Sequence, residues 1–258
     1  MRAPSLTVGF FYLLCEIRRV LYFCIKERGK GVRRKALFSV FAFSMLMGGS
    51  VVRAQKSTTA LQMEKLGFVD VLDVDSALRV SLMYARADNF MGRVLYKDLR
   101  EAYLHPEAAK SLSRARKILQ AEHPHLGIIV YDAARPMHIQ QQMWNAVSGT
   151  PKRIYVCNPK NGGGLHNYGM AVDVSLYNIN SGDTLDMGTR IDFLGKQAHI
   201  SEEDNLVAQG IISSEARENR RILRNAMRRA GFTPLKTEWW HFNYISRAKA
   251  KAHYKPIP

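Results

Sequence analysis

Two histidines, an aspartate, a glutamate and an arginine are the side chains whose types and spacing could do chemistry in this chain. His166 and Asp173 lie seven residues apart in Gly162-Gly163-Gly164-Leu165-His166-Asn167-Tyr168-Gly169-Met170-Ala171-Val172-Asp173. Glu238 and His241 lie three apart in Thr237-Glu238-Trp239-Trp240-His241-Phe242-Asn243-Tyr244. Two neutral imidazoles and a carboxylate suit a borderline ion such as zinc, at about 2.0–2.2 Å, and three protein ligands leave a fourth position for water. Water held there has its pKa lowered toward roughly 7. Glu238, close to the ion without being a ligand, could take that proton and later pass it to a leaving amine. Arg135 adds a fixed positive charge with a planar fork, suited to an oxyanion or a carboxylate. Each of these residues also has a plain reading: a hydrogen-bonded structural histidine, a surface ion-pair partner, an exposed strand residue.

The elements around them must do the positioning. Gly162, Gly163, Gly164 and Gly169 argue against helix, and the apolar run Val172, Val174 and Leu176 reads as a strand entered from a loop. Residues seven apart on a straight strand point to opposite faces, so both can meet one ligand only with His166 on the loop and Asp173 on the strand. The aromatic-rich stretch 237–244 is also strand-like. A flat strand would send Glu238 and His241 to opposite sides, so a bulge or a strand end is needed to aim both inward. Periodicity alone does not make them converge.

Elsewhere, Phe68–Val74 and Leu78–Tyr84 read as two short strands, and Tyr84–Tyr96 as loop. Pro106 opens a helix with Leu112, Ala115 and Leu119 on its apolar face. Leu126–Tyr131 is a β-branched run, and a second helix is expected from Pro136 to about Val147. The strongest helix has Ser214 as N-cap, a buried stripe of Ile222, Leu223, Ala226, Met227 and Ala230, and a stop at Gly231 and Pro234.

A chain of 258 residues can build one sizeable domain or two small ones. Its net charge of +16 suggests nucleic acid until it is divided, because ten of 38 basic and two of 22 acidic residues fall in 1–54. Half the excess therefore belongs to a leader. The arginines of 214–229 have no helix-turn-helix or stacking-aromatic pattern beside them, so a solvated face is expected and no nucleic-acid partner. Of Cys15, Cys24 and Cys157, only Cys157 lies beyond residue 54, which excludes a disulfide within the body and a cysteine-ligated zinc ribbon.

The leader has the order of parts of a secretory signal. Basic residues from Lys26 to Lys35 precede the uncharged run Ala36–Val52, and Val52-Arg53-Ala54 before Gln55 offers a cleavage site. An uncleaved anchor is the alternative, and no stable membrane partner is expected without it. The segment before Lys26 is long for a signal and is compatible with a start codon further downstream. The expected organisation is a leader over 1–54, a single domain over 55–258, and export to the periplasm or cell envelope.

Gly164-Leu165-His166-Asn167-Tyr168-Gly169-Met170-Ala171-Val172-Asp173, Tyr131-Asp132-Ala133-Ala134-Arg135-Pro136 and Glu238-Trp239-Trp240-His241-Phe242 resemble motifs of the zinc-dependent D-alanyl-D-alanine dipeptidases, the VanX type. The likeness extends to Tyr84-Ala85-Arg86-Ala87-Asp88-Asn89-Phe90, Met187-Gly188-Thr189-Arg190-Ile191-Asp192 and Asn219-Arg220-Arg221-Ile222-Leu223-Arg224, covering about residues 61–245. It implies an α+β fold, a small antiparallel sheet with packed helices, of the zinc D,D-peptidase or hedgehog-like kind. It implies His166, Asp173 and His241 as ligands of one Zn2+, Glu238 as general base and acid, and Arg135 as the residue that steadies the tetrahedral intermediate. Asp192 with Tyr84 nearby is implied for the substrate's free amine, and Tyr96 for its carboxylate end. One departure stands out: the family often carries Ser two residues before the first zinc histidine, where this chain has Gly164.

The function so implied is hydrolysis of free D-Ala-D-Ala to two D-alanines in cell-wall peptide metabolism. Two other readings remain at this stage, a D,D-carboxypeptidase acting on peptidoglycan stem peptides and a noncatalytic zinc-bearing wall-binding domain.

Overall fold

A computed structural model describes residues 56–258, so the leader expected over 1–54 and its cleavage point lie outside the described residues. Ser57 caps α1 (Thr58–Lys65), its hydroxyl accepting from the Ala60 N–H at 3.0 Å, and Ala60 and Met63 turn inward. The two strands expected over 68–84 do not form as such. Asp70 ends the two-residue β1 (Val69–Asp70), and its carboxylate accepts from the Leu72 N–H at 3.0 Å, capping a single turn, α2 (Val71–Val74). That local cap offers the backbone an alternative to a ladder, and it overrides the β-branched composition. The second shrinks to β2 (Arg79–Val80), followed by a 3-10 turn at Met83–Ala85.

β3 (Tyr103–Leu104) pairs antiparallel with β1 in a small separate sheet. α3 (Pro106–Glu122) starts on proline, where the missing N–H is no loss, and buries Ala108, Leu112, Ala115 and Leu119. Then come β4 (Leu126–Asp132), α4 (Met137–Val147), β5 (Ala171–Asn178) and the short α5 (Glu203–Ala208). α6 (Ser214–Arg229) is capped by Ser213 rather than Ser214: the Ser213 hydroxyl accepts from the Ala216 N–H at 2.9 Å. Adjacent serines leave that choice to the backbone, one residue from the expected position. β6 (Thr233–Leu235), β7 (Glu238–Asn243) and α7 (Arg247–His253) complete the chain.

The main sheet has the order β2-β4-β5-β7-β6. Four strands are antiparallel to their neighbours, as expected, but the edge strand β2 runs parallel to β4. The reason is connectivity, because α3 lies between β2 and β4 in the chain and supplies the crossover that a parallel pair requires. Central β5 is buried from Ala171 to Leu176, consistent with cover on both faces. Its Val172, Val174 and Leu176 join Ile128, Val130, Trp240 and Phe242 in the core. Among the described residues no helix is long and apolar enough to cross a membrane.

Two irregularities aim side chains. β4 shifts register between Val130 and Asp132, and β7 shifts against β6 so that Pro234 faces Phe242 while Leu235 already faces Glu238. Residues 239–241 therefore have no partners on β6, a bulge on that side of β7, while His241 stays in register with β5.

Candidate active site

His166 sits in one 3-10 turn, Leu165–Tyr168, that delivers the chain to β5. Gly169 closes that turn with φ 62°, and a Cβ there would lie 2.4 Å from the Phe68 ring and 3.0 Å from the His105 backbone nitrogen. Only glycine fits, so the turn that aims His166 depends on it. Asp173 is paired directly with His241 across the β5–β7 ladder, which puts their side chains on one face.

The three side chains are buried and their ligand atoms converge. His166 Nε2 is 3.1 Å from His241 Nδ1, and Asp173 Oδ1 is 3.3 Å and 3.0 Å from those nitrogens. The far nitrogens are taken by oxygens: His166 Nδ1 donates to the Ala133 carbonyl at 2.7 Å, and His241 Nε2 donates to Asn243 Oδ1 at 2.8 Å. These partners assign the tautomers, leaving two bare ring nitrogens and a carboxylate oxygen facing one another. Such an acceptor cluster calls for a cation. Bonds of about 2.0–2.1 Å at tetrahedral angles put ligand atoms about 3.3 Å apart, and the observed separations match that spacing.

Glu238 stands beside this cluster without joining it, its Oε2 3.9 Å from His241 Nδ1. The bulge in β7 is what lets residues three apart reach one side. Burial is the main influence that pushes Glu238 up to about 7, and the Asp173 and Asp192 charges add to it. A carboxyl so poised can accept and release a proton near neutrality.

Arg135 is held rather than free. Its Nε and Nη2 donate to Asp132 Oδ2 at 3.0 and 2.6 Å, and Nη1 donates to Gln140 Oε1 at 2.9 Å. Nη2 also comes within 4.0 Å of Asp173 Oδ2, and the guanidinium lies 5.1 Å from the Tyr84 ring centroid. Burial works against its charge, but Asp132 more than restores it, so Arg135 stays charged. Asp192 adopts φ 66°, in the left-handed region. Its Oδ1 accepts from the Tyr84 hydroxyl at 2.9 Å and its Oδ2 from the Phe90 N–H at 2.8 Å. Burial pushes its carboxyl up to about 7.

A cavity of about 420 Å³ is lined by His166, Asp173, His241, Glu238, Arg135, Asp192 and Tyr84 together with apolar residues. Tyr96 is not among its lining residues: its hydroxyl donates to Asp132 Oδ1 at 2.6 Å, so it braces the partner of Arg135. The geometry therefore gives the expected substrate contact from Tyr96 no support. At Gly164 a Cβ would lie 3.2 Å from Cys157 Sγ, so a serine there would crowd the free Cys157 thiol. Sequence reasoning passed over Asp132, Gln140 and Asn243. Asp132 three residues before Arg135, and Asn243 two after His241 on the same strand face, were the available signals.

Three buried side chains that could hold a metal ion, an acid just outside that cluster and a captive guanidinium thus line one cavity. The family model described as Peptidase_M15, D-ala-D-ala dipeptidase, matches residues 64–257, and the chain belongs to that family. It is 32% identical over 174 residues to the D-alanyl-D-alanine dipeptidase of Escherichia coli (strain K12), covering 67% of this chain and 82% of the relative. It is 28% identical over 194 residues to the D-alanyl-D-alanine dipeptidase of Enterococcus faecium, covering 69% of this chain and 91% of the relative. Against the solved structure of the LdcB LD-carboxypeptidase the TM-score is 0.35 at 19% identity, over 58% of this chain and 63% of the other, too faint a likeness to bear on the site.

Proposed function

We propose that His166, Asp173 and His241 hold one zinc ion per chain and that this cavity performs the D-alanyl-D-alanine dipeptidase activity of the family. The observation that carries the reading is the triangle of bare acceptor atoms, 3.0 to 3.3 Å on a side, with the Glu238 carboxyl beside it. When bound, zinc supplies Lewis acidity and brings the pKa of a water down to about 7. Glu238 takes the proton of the attacking water and delivers it to the leaving amine, a role its elevated pKa suits. Arg135, pre-set by Asp132 and Gln140, presents charge to the developing oxyanion without having to reorganise. Asp192 receives the substrate's ammonium group, with the Tyr84 hydroxyl fixing its orientation. An acylated amine would leave that buried carboxylate unpaired, which restricts the enzyme to free dipeptides. The leader over 1–54 supports export to the periplasm or cell envelope, where the protein would act on wall-derived peptide.

The purified protein, with and without chelator, is to be offered D-Ala-D-Ala, its N-acetyl form and a stem pentapeptide. Hydrolysis of the free dipeptide alone, lost on chelation and restored by zinc, is expected. Equal cleavage of the blocked substrates, or turnover indifferent to chelation, contradicts the proposal.

A further inference from the structure

Residues 186–195, which carry Asp192, form neither strand nor helix, so their shape must be imposed from outside. On the cavity side Tyr84 and Phe90 hold the Asp192 carboxylate. On the other side the grip comes from α6. Asn219 Nδ2 donates to the Asp186 carbonyl at 2.9 Å, Arg220 Nε to the Met187 carbonyl at 2.7 Å, and Arg220 Nη2 to the Gln197 carbonyl at 2.9 Å. Met187 and Gln197 stand five residues before and five after Asp192, so one guanidinium spans the segment. Its Cζ lies 5.7 Å from the Trp239 ring centroid, and Trp239 Nε1 donates to Thr189 Oγ1 at 2.8 Å, a further tie to the same segment.

Arg220 is a poor device for stability alone. It is 0% exposed, its Nη1 has no hydrogen-bond partner, and Glu203 Oε1 is no closer than 3.8 Å. An apolar residue of similar volume is often at least as stable in such a place. What an apolar residue lacks is a rigid fork that reaches two carbonyls ten residues apart.

We infer that Arg220 is a positioning residue for substrate recognition: by clamping the carbonyls of Met187 and Gln197 it fixes the bend that presents Asp192 to the substrate amine. The inference rests on the amine-binding role proposed for Asp192. Binding made equally in ground and transition states shows as a change in KM with kcat little altered.

The test is steady-state kinetics of Arg220→Met on free and N-acetylated D-Ala-D-Ala, in the parent and in an Asp192→Asn background, with zinc content measured throughout. In the parent, KM for the free dipeptide rises about tenfold, kcat stays within about threefold, and preference for the free amine shrinks by the same factor as KM rises. In the Asp192→Asn background the substitution changes neither KM nor preference, the coupling expected of residues acting through one contact. Arg220→Lys, able to reach one carbonyl, gives a smaller rise and serves where the methionine variant fails to fold. Unchanged KM and preference in a folded, zinc-loaded variant overturns the inference. So does an undiminished KM effect when Asp192 is already asparagine, which would assign Arg220 to general packing. If Asp192→Asn alone leaves the preference intact, it is the amine-binding role that fails, and the clamp loses its purpose with it.

Discussion

Asp173 and His241 face each other across a ladder in the main sheet, whereas Asp192 sits at a left-handed bend in a segment with no ladder of its own. The first wall of the cavity draws its precision from strands that the core already needs. Asp132 and Asp173 are also register partners, so Arg135 is tied to the same frame. The second wall is held by side chains brought from remote parts of the chain, Tyr84 on one side and Arg220 on the other. The contrast separates two tasks: the sheet places the groups proposed for bond breaking, and the tethered segment places the group proposed for choosing the substrate.

If that division is right, substitutions in the two walls have different signatures. Arg135→Met, on the sheet wall, is expected to lower kcat by about 10²–10³-fold while zinc binding and KM change little, measured by steady-state kinetics and metal analysis. An equal effect on KM and none on kcat would break the comparison, since Arg135 would then be a binding group like Asp192.

The loop wall has a smaller effect that reads out in stability. Burial raises the Asp192 carboxyl to about 7 in the fold, against an ordinary value of 3.8. Between those two values the folded chain keeps a proton that the unfolded chain has lost, so stability falls as pH rises through that window. Asp192→Asn removes the penalty and can keep both contacts, its Oδ1 accepting from Phe90 and its Nδ2 donating to the Tyr84 oxygen. Its melting temperature relative to the parent should therefore climb by several degrees between pH 4 and pH 8, followed by thermal unfolding. A constant difference across that range would show the carboxylate to be well solvated, which the walled-in geometry does not allow.

The same contrast explains what could be read from residues alone. His166 and Asp173 were legible because glycines on either side of the histidine and apolar residues around the aspartate separate loop from strand locally. Glu238 and His241 were named, but their convergence depends on a register shift set by the β6 partner, which no local pattern reveals. The Tyr96 hydroxyl meets Asp132, 36 residues away, a contact that no local pattern reveals. The strands expected over 68–84 gave way to a cap by Asp70, and the parallel edge at β2 follows from the path of the chain through α3. Arg220 lay inside a recognised motif, yet its carbonyl partners are far from it in sequence, so its task was invisible until the segment and α6 were seen together.

Glu238→Gln tests the central claim most directly, because it keeps the shape of the side chain and removes only its capacity to carry the proton. Metal content and D-Ala-D-Ala turnover should be measured on the same preparation. The account predicts one zinc per chain, as in the parent, with turnover reduced by about 10²–10⁴-fold. Parental turnover, or loss of the metal together with activity, would contradict it: the first removes the proton carrier, and the second makes Glu238 a ligand.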